Sequence, residues 1–187
     1  MKNLETHRLW LRPFEDADLF DFHTYARDGE VGPSAGWPPH ETLAQTREVL
    51  LRFITGDNVW AIVDKDSGKV IGSVGLHKDQ KRDSSDKMRM IGYALGKAWW
   101  GRGYMTEAVE RVLQYLFLEE GLELVSVCHY PENMRSKRVI EKCGFVYEGT
   151  LRKASLLYDG RLLDDVCYSI TREEYLHRNG RGQGNPV

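Results

Sequence analysis

The stretch Trp100-Gly101-Arg102-Gly103-Tyr104-Met105-Thr106-Glu107-Ala108 decides how this chain of 187 residues is interpreted. Its two glycines follow an apolar segment and precede a helical pattern. Glycine adopts positive φ without steric cost, and a helix that begins here directs its unpaired N–H groups and positive dipole end at the turn. The spacing matches neither the G-x-G-x-x-G of dinucleotide folds nor a P-loop. The stretch therefore predicts either an anion-binding turn or a plain tight connection.

The composition is that of a globular protein, with 41% hydrophobic and 29% charged residues, and the length fits one domain. A formal net charge of -2 argues against a general nucleic-acid binder, which needs a basic surface. The N-terminus lacks the apolar core of a signal peptide, and no apolar run approaches the roughly 18 residues of a membrane span. We expect a cytoplasmic monomer or homodimer with no nucleic-acid and no membrane partner.

The three cysteines, Cys128, Cys143 and Cys167, are far apart and form no C-x-x-C motif. This spacing argues against a disulfide framework and against a zinc site, so we expect no metal. A reducing compartment is the simplest setting for such a chain.

The order of predicted elements is β-α-α-β-β-β-α-β-α-β-β. Hairpin signals stand at Asp66-Ser67-Gly68 and at Asp159-Gly160, the second typical of a type I′ turn. A strand–helix–strand crossover joins residues 88–95 to 124–129, which predicts one parallel pair. We predict an α/β fold with a mixed, mostly antiparallel central sheet of about seven strands flanked by helices. The glycine turn would lie at the carboxyl end of its strand, where open α/β sheets bind ligands.

Three further segments carry predictions. The long segment Gly29–His40, rich in glycine and proline and with an exposed-looking Trp37, is interpreted as a binding loop or a surface connector. The charged stretch Lys78–Lys87 is interpreted as a solvated hairpin loop. Residues 1–178 are expected to form the domain, and Asn179–Val187 a disordered tail.

Three motifs together resemble the GNAT superfamily of acyl-CoA-dependent N-acetyltransferases. Ile91-Gly92-Tyr93-Ala94-Leu95 resembles its acetyl-CoA strand. Residues 99–108, which we call the glycine loop, resemble its pyrophosphate loop. Residues 133–145 resemble its N-x-x-S…E-K-x-G-F helix, with Asn133 and Ser136 at the polar positions. Glu5-Thr6-His7-Arg8-Leu9-Trp10-Leu11-Arg12-Pro13 is similar to the E-T-x-R-L-x-L-R opening of the Rim-type branch, which acetylates ribosomal-protein N-termini. The resemblance implies a single-domain GNAT fold.

The resemblance also implies a cofactor site. Backbone amides of the loop would hold the coenzyme A pyrophosphate, at Gly101, Arg102, Gly103, Tyr104, Met105 and Thr106. The pantetheine arm would bond to the main chain of Tyr93, Ala94 and Leu95, as a peptide adds to a sheet edge. Asn133 would bond the pantetheine or only cap its helix, and Ser136 would protonate the leaving sulfur or only face solvent.

Three positions depart from the family pattern. Trp100 stands where Gln or Arg is usual, and Ile140 stands where many members carry a tyrosine acid. Met105 replaces Gly or Ala and is expected to crowd the loop. Since backbone amides do most of the binding, we expect cofactor affinity to survive.

The implied reaction is direct transfer of an acetyl group from acetyl-CoA to a primary amine, and the favoured acceptor is a protein N-terminal amine. Alternatives are a small-molecule amine, such as an amino-sugar antibiotic or polyamine, and a catalytically silent CoA-binding module. The general base stays open among His77, Tyr93, His129, Glu148 and a water molecule. Cys128 lacks a His–carboxylate arrangement, which disfavours an acyl-enzyme.

Overall fold

The computed structural model describes residues 1–82 and 86–180, which form one sheet between two layers of helices. The strands are β1 (Leu4–Glu5), β2 (Leu9–Pro13), β3 (Val59–Asp64), β4 (Val70–His77), β5 (Met88–Leu95), β6 (Leu124–His129), β7 (Val146–Leu156) and β8 (Leu162–Thr171). The helices are α1 (Leu19–Ala26), α2 (Val31–Ala35), α3 (Leu43–Gly56), α4 (Tyr104–Leu118), α5 (Met134–Lys142) and α6 (Arg172–Gly180). Short 3-10 turns cover Asp16–Asp18 and Lys97–Trp99.

The sheet has the strand order β1-β2-β3-β4-β5-β6-β8-β7, and its central pair, β5 and β6, is parallel. The six other pairs are antiparallel. The predicted fold class is thus confirmed, with eight strands where about seven were expected. The additional strand is β1, whose two residues pair with Leu11 and Trp10 of β2 and are too few to show a periodic pattern.

Both faces of the sheet are covered, which explains why every residue of β3 is buried. The apolar stripe of α4, including Leu113, Leu116 and Phe117, packs on one face. On the other face α1 and α3 enclose a second cluster around Phe22 and Leu50. Removal of this apolar surface from water is the main contribution to stability, at roughly 25 cal/mol per Å².

The β7–β8 hairpin differs from its predicted turn. A type I′ turn requires positive φ at both central residues. Only Gly160, with φ 85°, has it, while Asp159 does not. Leu157 N–H donates to the Arg161 carbonyl at 2.8 Å, which makes a three-residue loop that ends in a left-handed glycine. The type I′ prediction was wrong because the dipeptide alone does not fix the loop length.

Two predicted loops are more ordered than expected. Within Gly29–His40 the structure forms α2, and Trp37 is half-buried against the second cluster rather than exposed. In the stretch Lys78–Lys87, Asp79 is buried and accepts a hydrogen bond from Ser126 Oγ at 2.6 Å. The solvated-loop interpretation was therefore wrong for this carboxylate. Residues 83–85 of the stretch lie outside the described residues.

The expected tail begins inside the last helix. Asn179 and Gly180 are the last two residues of α6. Residues 181–187 lie outside the described residues, and the disordered tail stays a prediction.

Candidate active site

The two central strands separate partway along their length. β5 pairs with β6 only through Met88, Arg89 and Met90, and Met90 opposite Ser126 is the last pair. Beyond that point β5 continues to Leu95, paired with β4 on one side. One edge of β5 from Ile91 to Leu95 therefore lacks a strand partner. Such an edge offers backbone N–H and C=O groups to an extended ligand.

A cleft of about 990 Å³ opens at this separation. One half is lined by the open part of β5, the glycine loop and α5, and we call it the cofactor half. The other half is lined by α2, the end of α3, β4, β6 and the β7–β8 hairpin, and we call it the acceptor half. The segment Gly29–His40 contributes Val31, Ser34, Ala35 and Trp37 to this cleft, as the binding-loop interpretation predicts.

The glycine loop has the backbone geometry of an anion-binding turn. Gly101 and Gly103 both adopt left-handed conformations, with φ of 76° and 79°, and α4 begins at Tyr104. The first hydrogen bond of the helix runs from Glu107 N–H to the Gly103 carbonyl at 3.0 Å. The amides before Glu107 therefore precede the helical ladder and remain available to a ligand. A Cβ on Gly101 would meet nothing within 4 Å, so the backbone conformation, not space, requires glycine there.

Glu107 ties the chain's opening motif to this loop. Its carboxylate accepts hydrogen bonds from Thr6 Oγ1 at 2.6 Å and from Arg8 N–H and Nε at 2.9 and 2.6 Å. Arg8 also donates to the Arg102 carbonyl at 3.0 Å. Partial burial acts to raise the pKa of Glu107, but these hydrogen bonds and the Arg8 charge outweigh it and lower the pKa. These contacts do not follow from the sequence, because nothing local links two motifs about a hundred residues apart.

The two unusual loop residues are both accommodated. Trp100 Nε1 donates to the Leu95 carbonyl at 2.7 Å, and the Arg135 guanidinium lies 3.9 Å from the centre of the Trp100 ring. The cation–π contact places a positive charge at the loop, although residue 100 itself carries none. The Met105 side chain is only 5% exposed and packs into the main core. The expected crowding of the loop is therefore wrong, because this side chain is directed away from the turn.

Ser136 and Tyr93 form a hydrogen-bonded pair. Tyr93 Oη lies 2.9 Å from Ser136 Oγ and 3.3 Å from the Ser136 carbonyl. Ser136 is buried on α5 rather than solvent-facing. Burial, although partly offset by the Ser136 bond, raises the pKa of Tyr93 well above its usual value, which keeps its hydroxyl protonated. Ile140, one turn further along α5, is buried in the core.

Asn133 caps α5. Its Oδ1 accepts from Ser136 N–H at 3.0 Å, and its Nδ2 donates to the Ser34 carbonyl at 2.9 Å. The side chain therefore positions α5 and links it to α2. Its predicted bond to pantetheine stays a prediction, since both polar groups already have protein partners.

The base candidates occupy different environments. Glu148 faces away from the main cleft and binds Arg82 and Ser169 Oγ. His129 is buried, and its Nδ1 lies 2.7 Å from the Tyr130 carbonyl. His77 lines the cleft at the end of β4. The structure thus brings His77, His129 and Tyr93 to the cleft and leaves Glu148 outside it.

Cys128 lines the acceptor half, and its thiol lies next to that of Cys167. Its Sγ lies 3.2 Å from Cys167 Sγ, and Lys81 Nζ lies 3.5 Å away. Burial raises the pKa of Cys128 to about 12, despite the nearby lysine. A thiol held in its neutral form is a poor nucleophile, which argues against an acyl-enzyme.

The acceptor half contains one carboxylate among the described residues, that of Asp165. It is buried, forms an ion pair with Lys81 Nζ at 2.8 Å and accepts from Ser155 Oγ at 2.7 Å. Hence this half presents no unpaired negative charge. The cofactor half, by contrast, is lined by the basic side chains Arg135, Arg138 and Lys142 of α5.

Comparison with known proteins identifies this arrangement. The family model described as "Acetyltransferase (GNAT) domain" matches residues 8–146. The chain belongs to the GNAT acetyltransferase family. This confirms the resemblance of the sequence motifs, and it makes the protein an acetyl-CoA-dependent N-acetyltransferase.

Relatives of this GNAT acetyltransferase match between about half and nearly all of the chain. "Uncharacterized N-acetyltransferase p20" of Bacillus licheniformis is 31% identical over 181 residues, 94% of this chain and 99% of its own length. "Putative ribosomal N-acetyltransferase YdaF" of Bacillus subtilis is 32% identical over 108 residues, 58% of this chain and 57% of its own. The structure of a GNAT-family acetyltransferase from Bacillus anthracis superposes with a TM-score of 0.83 at 25% identity, covering 92% and 99% of the two chains.

The cleft of the acetyltransferase suits the co-substrate that its family uses. Coenzyme A is a long, flexible molecule with a phosphorylated end, and the cleft offers an unpaired edge of β5, backbone amides that precede the helical ladder of α4, and basic side chains on α5. Among the described residues, none of the helices is long and apolar enough to cross a membrane, and no group of three His, Cys, Asp or Glu side chains could hold a metal ion.

Proposed function

We propose that this acetyltransferase transfers the acetyl group of acetyl-CoA to the N-terminal amine of a protein. The observation that carries the acceptor choice is the lining of the acceptor half. Its one described carboxylate, Asp165, is already paired with Lys81, and the rest of its walls combine apolar side chains with neutral polar ones. An acceptor with a single positive charge and an apolar body fits this lining.

Polycationic acceptors fit it less well. A polyamine or an amino-sugar antibiotic carries several ammonium groups, and each would need a partner once removed from water. Among the described residues the acceptor half offers no such partner, because its one carboxylate is already paired with Lys81. A relative named as a ribosomal N-acetyltransferase also favours a protein acceptor. The opening motif adds no support for this choice, because Thr6 and Arg8 contact the glycine loop rather than the acceptor half.

The proposed roles of the chain's own residues follow from their positions. The amides of Gly101 to Thr106 would hold the pyrophosphate, with Arg135 adding charge. The open edge at Tyr93, Ala94 and Leu95 would bind the pantetheine and its N–H groups would stabilise the oxyanion. Ser136, with Tyr93 behind it, would donate a hydrogen bond to the departing sulfur. The bound thioester supplies the activated acyl group for direct attack by the amine.

The test is a comparison of acceptors in a thiol-release assay with acetyl-CoA. We expect peptides with free N-terminal amines to be acetylated with a kcat/KM at least about 10-fold above that for spermidine or kanamycin, which corresponds to about 1.4 kcal/mol. The same peptides with blocked N-termini should be inactive. A higher kcat/KM for the polycations would contradict the protein acceptor.

A variant of the acceptor half tests the charge argument directly. Lys81→Met removes the ammonium that neutralises Asp165 and leaves the carboxylate for a substrate cation. We expect spermidine acetylation to rise several-fold in this variant while peptide acetylation stays equal or falls. The wild type could instead prefer spermidine to peptides, with the same preference in the variant. That result would show that this ion pair does not select the acceptor.

A further inference from the structure

His77 is the last residue of β4 and lies where the cleft opens. In the antiparallel register it stands opposite Met90 of β5. Met90 also forms the last pair between β5 and β6, with Ser126. His77 therefore neighbours the first residue of the open edge, on the wall shared by the two halves of the cleft.

Two glycines make a floor beneath the His77 ring. Gly75 and Gly92 are paired across β4 and β5. A Cβ on Gly75 would lie 2.7 Å from His77 Nε2, closer than unbonded atoms approach, and one on Gly92 would lie 3.8 Å away. The absence of a side chain at residue 75 thus leaves room for the imidazole, which also approaches Gly92 of β5.

The imidazole is placed to accept a proton. Among residues 1–82 and 86–180, neither of its nitrogens has a hydrogen-bond partner. Part of the side chain is exposed at the cleft, yet the surrounding protein desolvates the ring and lowers its pKa below 6.5. The imidazole is therefore neutral at pH 7.

The groups around His77 leave it free of a strong charge. The flanking strands present Val59, Gly92 and Met90, which do not titrate. Across the cleft, Lys81 and Asp165 neutralise each other, and Cys128 and Tyr130 have raised pKa values that keep them uncharged. The remaining charged side chains, Arg135, Arg138 and Lys142, belong to the cofactor half.

We propose that His77 is the general base that deprotonates the acceptor amine, at the point where Gly75 and Gly92 open the floor of the cleft. This inference rests on the proposed function. It places the base on β4, opposite Met90 of β5.

The step balances in atoms and charge. An N–H bond of the substrate ammonium breaks, and its proton moves to an imidazole nitrogen, which later releases it to solvent. The freed lone pair forms the N–C bond to the thioester carbonyl carbon. The C–S bond breaks, and sulfur leaves with the electron pair and takes the second proton lost by nitrogen. No oxidant or other co-reactant is required.

The test is the pH profile of kcat with a saturating peptide amine, since kcat reports groups in the enzyme–substrate complex. In the wild type we expect kcat to fall as pH drops below about 6.5, because a protonated imidazole accepts no proton. In His77→Gln we expect a roughly 100-fold lower kcat at pH 7.5 and loss of that limb. CoA affinity measured by calorimetry should stay unchanged, and His177→Gln on α6 is the control for loss of a histidine elsewhere.

A second variant tests the geometry without removing the imidazole. Gly75→Ala places a Cβ 2.7 Å from the present position of His77 Nε2, and the end of that side chain moves aside more easily than backbone does. We expect kcat to fall at least about 10-fold, with CoA affinity and thermal stability nearly unchanged. This variant also decides the matter if His77→Gln does not fold.

The outcomes separate the two proposals. The wild type could acetylate peptides while both variants keep the full kcat and an unchanged pH profile. That result would overturn His77 as the base and leave the proposed function intact. Peptide acetylation absent from the wild type would overturn the proposed function, and the base assignment with it. Equal losses of kcat and CoA affinity in the variants would show that His77 is structural, which also overturns the proposal.

Discussion

The two halves of the cleft are built by different means. In the cofactor half, one continuous segment from β5 through the glycine loop to α4 supplies backbone groups, and α5 adds a few side chains. In the acceptor half, side chains come from α2, α3, β4, β6 and the β7–β8 hairpin, which are far apart in the chain. We expect a site made of backbone groups to tolerate changes in side chains, since Trp100 bonds to the Leu95 carbonyl and Met105 packs into the core. A site made of converging side chains changes its specificity with each of them.

Substitution of Gly101 should produce the largest effect, because the cofactor half depends on its backbone conformation. Gly101→Val forces a β-branched residue into φ 76°, at a cost of roughly 1–3 kcal/mol, and redirects the loop amides. We expect CoA affinity by calorimetry to fall by about 30-fold or more.

Gly68 in the β3–β4 turn offers a matched control. It has φ 70°, and like Gly101 it has open space where a Cβ would stand. Gly68→Val should lose similar stability in thermal unfolding and keep its CoA affinity. If Gly101→Val and Gly68→Val lost CoA affinity equally, the loss would come from general destabilisation of the fold. The proposal that the loop backbone binds CoA would then fail.

Ser136→Ala should have the next largest effect, on the rate and not on binding. The hydroxyl is positioned by Tyr93 at 2.9 Å, and its loss removes a donor to the leaving sulfur. We expect kcat to fall about 10-fold while KM for acetyl-CoA stays within 2-fold. A raised KM with unchanged kcat would instead assign Ser136 to the binding of pantetheine.

Glu107→Gln should weaken CoA binding by about 5-fold, because Arg8 and Thr6 would no longer be held firmly against the loop. Glu110→Gln is the control. Glu110 lies on the same helix as Glu107, and its substitution breaks a 2.6 Å ion pair with Arg178 of α6, away from the cleft. Unchanged CoA affinity in Glu107→Gln would show that the opening motif only stabilises the fold.

The same carboxylate gives a pH prediction. The pKa of Glu107 is lowered from 4.5 in the folded protein, so its tie contributes fully above pH 4.5 and is lost as pH falls through the lowered value. We expect the stability difference between wild type and Glu107→Gln in urea unfolding to shrink from pH 7 to pH 3. A difference in unfolding free energy that stays constant with pH would contradict a stabilising role for the ionised Glu107 carboxylate.

Cys128→Ala should have the smallest effect, although it lines the acceptor half. Its neutral thiol makes no contact that direct transfer requires, so we expect kcat to change by less than about 2-fold. A loss of 100-fold, with an acetylated Cys128 detected by mass spectrometry in the wild type, would replace direct transfer with an acyl-enzyme.

The sequence predicted the cofactor half better than the acceptor half. The loop, the strand before it and the helix after it follow from local patterns, and α4 begins directly after Gly103. Asp79, Lys81 and Asp165 were missed, because a charge in a polar stretch has no local mark that distinguishes a buried ion pair from a solvated one. The type I′ turn at Asp159-Gly160 failed because pairing across two long strands set the loop length.

By itself the sequence determined the class of fold, the glycine turn that precedes α4 and the family, because these depend on glycine conformation, hydrophobic periodicity and contiguous motifs. Only the tertiary structure decided that β5 and β6 separate after Met90, that Glu107 holds the opening motif, and that His77 lies over Gly75 and Gly92. Those features arise from contacts between residues distant in the chain. Packing and strand register set such contacts, and no local pattern of residues encodes them.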